Sequence, residues 1–436
     1  MKQNFKVTSV SCGIISMLCT GFVAAFVPQV RPPVSSVPTL FKQYSSVSQG
    51  LVTENRVRSK DSLLQMGLGS ELLGTTAMGQ VGKQMLLASA TATTSAASGI
   101  PVKAVVMAGL AGGALFWLKN KLDEPSRAYK ATEDYNSVAA EYDAWTEEGV
   151  LEEYWGEHIH LGYYSDEDRA KGAFKKSSIK ARYEFIDRMM KFAGVAGYQG
   201  SENDPDAVKP AKILDVGCGF GGTSRYLAKA LPESEVTGIT ISPAQVKRGT
   251  EMNKEQGVAN AQFKIVDAMN MTFADNTFDL VWACESGEHM PDKKKYVEEM
   301  VRVLKPGGRL VIATWCQRDN STSGFTPEEE KKLDFLYSEW THPFFISYED
   351  YGRLVEGTGT MEQVVTDDWA KETLPSWRHA IYDGLFRPWF IAQRPHLWWK
   401  TLKDIWCMNK MHLAFEEGLM TYGMIKGIKK PIAASE

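Results

Sequence analysis

The run Ile213-Leu214-Asp215-Val216-Gly217-Cys218-Gly219-Phe220-Gly221-Gly222 decides how this chain is read. An apolar stretch ends in an acid, Asp215. Glycines follow at 217, 219, 221 and 222, and a helical pattern runs from Thr223 to Ala230. Strand, tight glycine turn and helix, in that order, bring bare backbone close to a nucleotide-like ligand. The spacing after Asp215 is Gly-x-Gly-x-Gly. The dinucleotide fingerprint is Gly-x-Gly-x-x-Gly, with its third glycine packing a helix beside a pyrophosphate. An acid before the first glycine, inside the turn, suits a ligand carrying an ammonium group rather than a diphosphate.

Strand and helix patterns alternate beyond the turn. Glu235 to Ile241 is apolar and β-branched and is predicted as a strand. Pro243 to Gln256 is predicted as a helix, with Ser242 as N-cap and Pro243 at its first position. Further strands are expected over Gln262–Val266, ending at Asp267, over Phe278–Ala283 and over Arg309–Trp315. A helix over Asp292–Leu304 should stop at Lys305-Pro306-Gly307-Gly308. Such alternation predicts a parallel sheet with helices on both faces. Ligands in these sheets bind beyond the carboxyl ends of the strands. Asp215, Thr240, Asp267 and Glu285 all fall at strand ends and should converge on one crevice. Any one of them reads equally well as a cap or turn residue; four beside a glycine turn favour a site.

Upstream, Tyr135, Val138, Tyr142 and Trp145 recur at helical spacing, as core packing would require. Trp155-Gly-Glu-His-Ile-His-Leu-Gly-Tyr-Tyr164 follows, with His158 and His160 on one face if extended. No third ligand stands near that pair, so no metal site is expected. The six cysteines form no Cys-x-x-Cys pair, and buried free thiols are expected rather than zinc or disulfides. With a net charge of -4 and a pI near 6.1, nucleic acid is not expected as a partner.

Residues 1 to about 120 differ in composition. Lys2 and Lys6 precede a largely apolar stretch from Val7 to Val27, and Val23-Ala24-Ala25 offers a cleavage site, as in a signal peptide. The Ser-rich, acid-poor continuation has transit-peptide composition. Plain secretion would not need that second segment. The junction Ala25-Phe26-Val27-Pro28 resembles the phenylalanine-centred junction of bipartite presequences in algae with secondary plastids, which implies plastid import. A second apolar run, Ala104 to Leu118, is shorter than the ~20 residues that span a bilayer and is expected to face a membrane. The folded part should begin near residue 121, with a cap insertion at about 319–410.

The glycine motif is similar to the first motif of S-adenosylmethionine-dependent methyltransferases. A nicotinamide enzyme would need an acid at the second strand for its ribose hydroxyls. The chain has Gly238-Ile-Thr-Ile-Ser-Pro-Ala-Gln245 there, whose Thr240 and Gln245 can still bond hydroxyls. This pattern resembles methyltransferases of lipids and small molecules, including the cyclopropane-fatty-acid and tocopherol enzymes. The resemblance implies Thr240 and Gln245 on the ribose, and Asp267 with the Ala268 backbone on the adenine. Asp215, Gly217, Cys218, Gly219, Gly221 and Tyr142 complete the expected cofactor set.

The run Glu285-Ser-Gly-Glu-His-Met-Pro-Asp-Lys293 resembles the signature of γ-tocopherol methyltransferases. The likeness extends from about Tyr135 to Pro431 and includes the Trp155–Gly162 block and Gly418–Ile425, read as a last strand. It implies a Rossmann-like fold with a seven-stranded, mostly parallel sheet and a helical cap. The cofactor would be S-adenosylmethionine. The reaction would be ring C-methylation of a chromanol, γ- to α-tocopherol or δ- to β-tocopherol. A phenol carbon is a weak nucleophile until its hydroxyl loses a proton, so a positioned base is required. His289 has the suitable unperturbed pKa, with Glu285 and Glu288 as alternatives. His158, His160 and Trp377 are expected on the substrate side. Seven tryptophans after the fifth strand suit an apolar pocket. Trp398-Trp399, with Lys400, Arg387 and Arg394 near, suits a membrane interface.

Rival readings are a prenyl-benzoquinol, sterol or amine methyltransferase and, from another class, a non-catalytic S-adenosylmethionine-binding membrane protein. The glutamate-histidine run is expected to exclude the prenyl-benzoquinol and sterol enzymes. Plastid targeting and the lipid-friendly tail argue against an amine.

Overall fold

A computed structural model describes residues 102–132 and 136–431. The expected signal and transit segments, and Tyr135 of the aromatic stripe, lie outside these residues.

Seven strands form one sheet: β1 (Lys212–Val216), β2 (Glu235–Thr240), β3 (Ala261–Ile265), β4 (Phe278–Cys284), β5 (Leu304–Gln317), β6 (Met361–Asp368) and β7 (Met420–Lys429). Their order is β3-β2-β1-β4-β5-β7-β6. The pairs from β3 to β5 are parallel, and β7 runs antiparallel to both its neighbours. The chain leaves β1 towards β2 on one side and returns as β4 on the other. The resulting switch point opens a crevice beyond the carboxyl ends of β1 and β4.

Helices cover both faces, so the central strands read as continuous apolar runs rather than alternating ones. Ile213 of β1 packs with Phe185, Met189, Leu280 and Trp282 on one face. Leu214 and Val216 pack with Val281, Tyr296 and Ile312 on the other. Each such fully buried side chain contributes roughly 1.5–3 kcal/mol, and this double layer holds the strand ends that carry the site.

Three differences from the sequence expectation have local causes. The helix Lys293–Val303 runs straight into β5 at Leu304. Lys305-Pro-Gly-Gly308 is taken up as an irregularity between the Phe278↔Leu304 and Leu280↔Arg309 pairs, with Gly307 at φ +77°. β6 is an edge strand paired only with β7, and its acidic, half-exposed sequence masked it. Finally, 319–410 is not one insertion. The helix Tyr348–Gly357 buries Tyr351 and Val355 in the sheet core beside Met361 of β6. The cap consists of the helices Pro327–Glu339, Pro375–Phe386 and Trp398–Glu416 with their connections.

The second apolar run lies in the helix Val102–Asp123, which leaves Met107, Leu110, Leu115, Phe116 and Trp117 exposed. Among the described residues no helix is long and apolar enough to cross a membrane. Its end is tied to the cap, where Trp406 Nε1 donates to Asp123 at 3.0 Å and Arg127 pairs with Asp404 at 2.7 Å.

Candidate active site

Two cavities open beyond the strand ends. The first is lined by Asp215, Gly217, Cys218, Gly219, Thr240, Gln245, Asp267, Ala268 and Tyr142, with Glu285 and His289 at its inner wall. The four strand-end residues named from the sequence therefore meet in one crevice.

The glycine turn is shaped by close approach. Gly217 has φ +78°, and a Cβ on it would lie 2.3 Å from the Cβ of Ser286 at the end of β4. Gly221 does not line the cavity. It has φ +81° and lies under the Phe263 ring, where a Cβ would come within 2.1 Å. Its place is in packing, because the following helix must start flush against β3.

Asp215 is buried, and Ser224 Oγ donates to its Oδ2 at 2.6 Å. Burial pushes its carboxyl up to about 6. A bound ammonium would favour the charged form. Thr240 Oγ1 donates to Gln245 Oε1 at 2.7 Å, and Ser242 caps the helix Pro243–Gln256 through the Gln245 N–H at 3.1 Å. The hydroxyl and amide are thus held together at the end of β2. Asp267 is oriented by its own turn, its Oδ1 accepting from Met269 N at 2.8 Å. A buried acid, a hydroxyl–amide pair and bare glycine backbone fit S-adenosylmethionine, which carries an ammonium, a ribose and an adenine.

The second cavity lies between the sheet and the cap. Outside its inner end the lining is mainly apolar, with Val150, Leu151, Tyr154, Ala380, Gly384, Ile391, Ile405 and Met408, and includes the polar Glu141, Thr401 and Asp404. Its inner end carries Glu285, Glu288, His289, Trp315, Trp340, Thr341, His342 and Trp377. Val138, Tyr142, Ile159, Glu285 and His289 line both cavities and form the wall between them.

Glu285 sits at φ +50°, a conformation non-glycine residues adopt rarely. Its Oε1 accepts from Leu161 N at 2.8 Å and from Tyr422 Oη at 2.7 Å. Burial first, then the nearby Glu288 charge, push its carboxyl up to about 8. Glu288 accepts from Thr314 Oγ1 at 2.6 Å, and burial pushes it up to about 7. His289 Nε2 lies 3.2 Å from Tyr142 Oη, while its Nδ1 has no protein partner. Burial, then Lys293, lowers the imidazole to about 3, so it is neutral. Two carboxyls that hold their protons near neutrality thus stand beside a neutral imidazole.

His158 and His160 are not where the sequence expectation put them. His158 lines neither cavity and packs edge-on to Tyr183, ring centroids 4.7 Å apart. His160 lines the first cavity only, its Nδ1 2.8 Å from Leu161 O. The Trp155–Tyr164 stretch is drawn onto the helix Ser178–Ala193, with Tyr163 N bonded to Ala181 O at 2.8 Å, and this turns both rings away from the second cavity. Trp377 does line the second cavity and is fully buried.

Ile159, Trp315, Thr341 and His342 were not singled out from sequence. Thr341 and His342 follow the helix Pro327–Glu339 without periodicity or motif. Phe386, Trp389, Trp398 and Trp399 are exposed and line neither cavity, but they flank Gly384, Ile391 and Thr401, which do line the second.

The family model described as "Methyltransferase domain" matches residues 214–312. The 2-methyl-6-phytyl-1,4-hydroquinone methyltransferase of Synechocystis is 41% identical over 70% of this chain and 90% of its own length. The chloroplastic tocopherol O-methyltransferase of Arabidopsis thaliana is 36% identical over 65% of this chain and 79% of its own length. A crystal structure of a putative sarcosine dimethylglycine methyltransferase from Galdieria sulphuraria superposes with a TM-score of 0.53 at 20% identity, over 66% of this chain and 98% of that one, and shares the fold. These relatives do not separate chromanol from prenyl-hydroquinone enzymes, so the sequence expectation against a prenyl-benzoquinol acceptor is not upheld. The chain belongs to the tocopherol and phytylhydroquinone methyltransferases, S-adenosylmethionine-dependent enzymes of the Rossmann-like class I fold.

Proposed function

We propose that this chain methylates an aromatic carbon beside the free hydroxyl of a prenylated chromanol, converting γ- to α-tocopherol and δ- to β-tocopherol. The supporting observation is the wall of Val138, Tyr142, Ile159, Glu285 and His289 shared by the cofactor cavity and a more strongly apolar one. A ring at the inner end of the second cavity would face the cofactor across that wall, and a prenyl tail would follow the apolar lining outward.

S-adenosylmethionine, when bound, supplies an electrophilic methyl group. Asp215 would hold its ammonium, Thr240 and Gln245 its ribose, and Asp267 with Ala268 its adenine. Glu285 would take the phenolic proton, which raises electron density at the neighbouring ring carbon; as that carbon gains the methyl and the methyl–sulfur bond breaks to leave a thioether, the ring carbon's own proton would leave and the phenolic oxygen would be reprotonated. His289, fixed by Tyr142, would orient that hydroxyl, and Glu288 would set the proton affinity of Glu285. The aromatic walls would hold the ring in near-attack geometry and exclude water.

A second acceptor, 2-methyl-6-phytyl-1,4-hydroquinone, is favoured by the Synechocystis relative named for that substrate. Both acceptors undergo the same chemistry beside a free hydroxyl. The aromatic patch of Phe386, Trp389, Trp398 and Trp399, with Arg387, Arg394 and Lys400, would rest on a plastid membrane and admit the lipid between Gly384, Ile391 and Thr401. Plastid placement draws on the presequence reading and on the chloroplastic relative.

The test is incubation with methyl-labelled S-adenosylmethionine and γ-tocopherol, δ-tocopherol or the hydroquinone. Label in a new ring methyl of α- or β-tocopherol is expected. Label in no tocopherol would overturn the chromanol reading, and label in no prenylated phenol would overturn the reaction class.

A further inference from the structure

We infer that His342, with the indole N–H groups of Trp340 and Trp377, forms a second oxygen-binding subsite that distinguishes an acceptor ring with two free hydroxyls from a ring with one. The inference rests on the proposal that the acceptor is a phenolic ring.

His342 is 2% exposed, and neither of its ring nitrogens has a hydrogen-bond partner. Burial, with His289 and Lys293 nearby, keeps the imidazole neutral. A neutral imidazole presents one donor and one acceptor, and both are unmet. Trp340 Nε1 and Trp377 Nε1 are also buried without partners. Buried polar atoms in folded proteins are nearly all bonded. With His289 Nδ1 and Trp315 Nε1, five side chains at this cavity end carry polar atoms unmet among the described residues, and they indicate a ligand that brings oxygen there.

The local backbone agrees. Thr341, directly before His342, is β-branched and sits at φ +58°, a conformation that persists only where its surroundings enforce it. The His342 N–H is held by Tyr337 O at 2.9 Å. Thr341 and Glu285 are two of the four non-glycine residues at positive φ among the described residues, and both line this cavity end.

Placement decides which oxygen is read. His289 lines both cavities, whereas His342 lines only the second, its ring centroid 4.4 Å from that of His289. An oxygen bound at His342 lies on the side of the ring away from the cofactor cavity. In a 1,4-hydroquinone that oxygen is a hydroxyl. In a chromanol it is the ring ether. Either can accept from an indole N–H, but only the hydroxyl can also donate to the acceptor nitrogen of His342. The subsite therefore favours the hydroquinone ring.

Calorimetric binding to the S-adenosylhomocysteine-loaded full chain tests this without relying on turnover. The ligands are a prenylated 1,4-hydroquinone, its ether methylated at the oxygen remote from the reacting carbon, and γ-tocopherol. Wild type should bind the hydroquinone about tenfold or more tighter than its ether. In His342→Phe that ratio should fall towards one. In His342→Gln, which keeps a donor and an acceptor, most of the ratio should return. Equal binding of hydroquinone and ether by wild type would overturn the inference, and this comparison needs no variant. An unchanged ratio in a folded His342→Phe protein would overturn it too. Binding of none of the three would instead overturn the phenol reading on which it rests.

Discussion

The two cavities are built differently. The cofactor side is made by strand ends and backbone: Asp215 stands next to the last residue of β1, Thr240 closes β2, and the turn at Gly217 approaches Ser286 too closely for any side chain. The acceptor side is made largely by side chains of the cap and of helices before the sheet, which contribute at distant points of the chain from Val138 to Met408. Backbone-built sites are fixed by the sheet and tolerate little. Side-chain-built sites can be reshaped without disturbing the sheet. Only the five-residue wall belongs to both, and lesions should sort by side accordingly.

Glu285→Gln strikes the wall and should have the largest effect. Turnover should drop by roughly 10²–10⁴ while S-adenosylhomocysteine affinity stays within a few-fold. Steady-state kinetics and calorimetry read the two quantities. A His289→Ala loss greater than that of Glu285→Gln would return the base to His289. Trp377→Ala removes a fully buried indole from the acceptor side and should cost about 3–5 kcal/mol of folding stability. Acceptor affinity should fall much further than cofactor affinity; equal losses would break the separation of the two cavities. Gly217→Val is the reverse lesion. Backbone strain and overpacking should cost roughly 2–4 kcal/mol, with cofactor binding lost.

The wall also predicts opposite pH slopes for stability and rate. Glu285 and Glu288 are raised from 4.5 to about 8 and about 7. The folded state therefore keeps protons that the unfolded state releases above pH 4.5, and stability should fall as pH rises from there to about 8. Turnover should rise over the upper part of the same window, as the pair loses its proton as a unit. Urea melts and kcat/KM at stepped pH test both; a rate falling between pH 6 and 8 would speak against a carboxylate base. The smallest effect on the fold is expected at the rim. Trp389→Ala, at an exposed site, should change stability by no more than about 0.5 kcal/mol yet weaken binding to anionic lipid vesicles in flotation.

This difference in construction also governs what was legible. Asp215, Thr240, Asp267 and Glu285 each end an apolar stretch, so pattern alone brought them together. Glu285 and Glu288 were visible as a run, but their elevated proton affinities arise from burial that no spacing encodes. His158 and His160 were placed on one face by alternation, yet alternation does not say which cavity that face meets. His342 carries no periodic signal, and its neighbour's positive φ exists only in three dimensions. β6 was hidden because an edge strand need not be apolar.

On this reading the methyl group crosses at the wall of Val138, Tyr142, Ile159, Glu285 and His289. A co-crystal structure of the enzyme with S-adenosylhomocysteine and γ-tocopherol tests it most directly. The thioether sulfur should lie on the Asp215 side, the chromanol ring beside Trp340 and Trp377, and the free hydroxyl within hydrogen-bond reach of Glu285 or His289. A chromanol ring bound outside the second cavity, or with its hydroxyl turned away from Glu285 and His289, would contradict it.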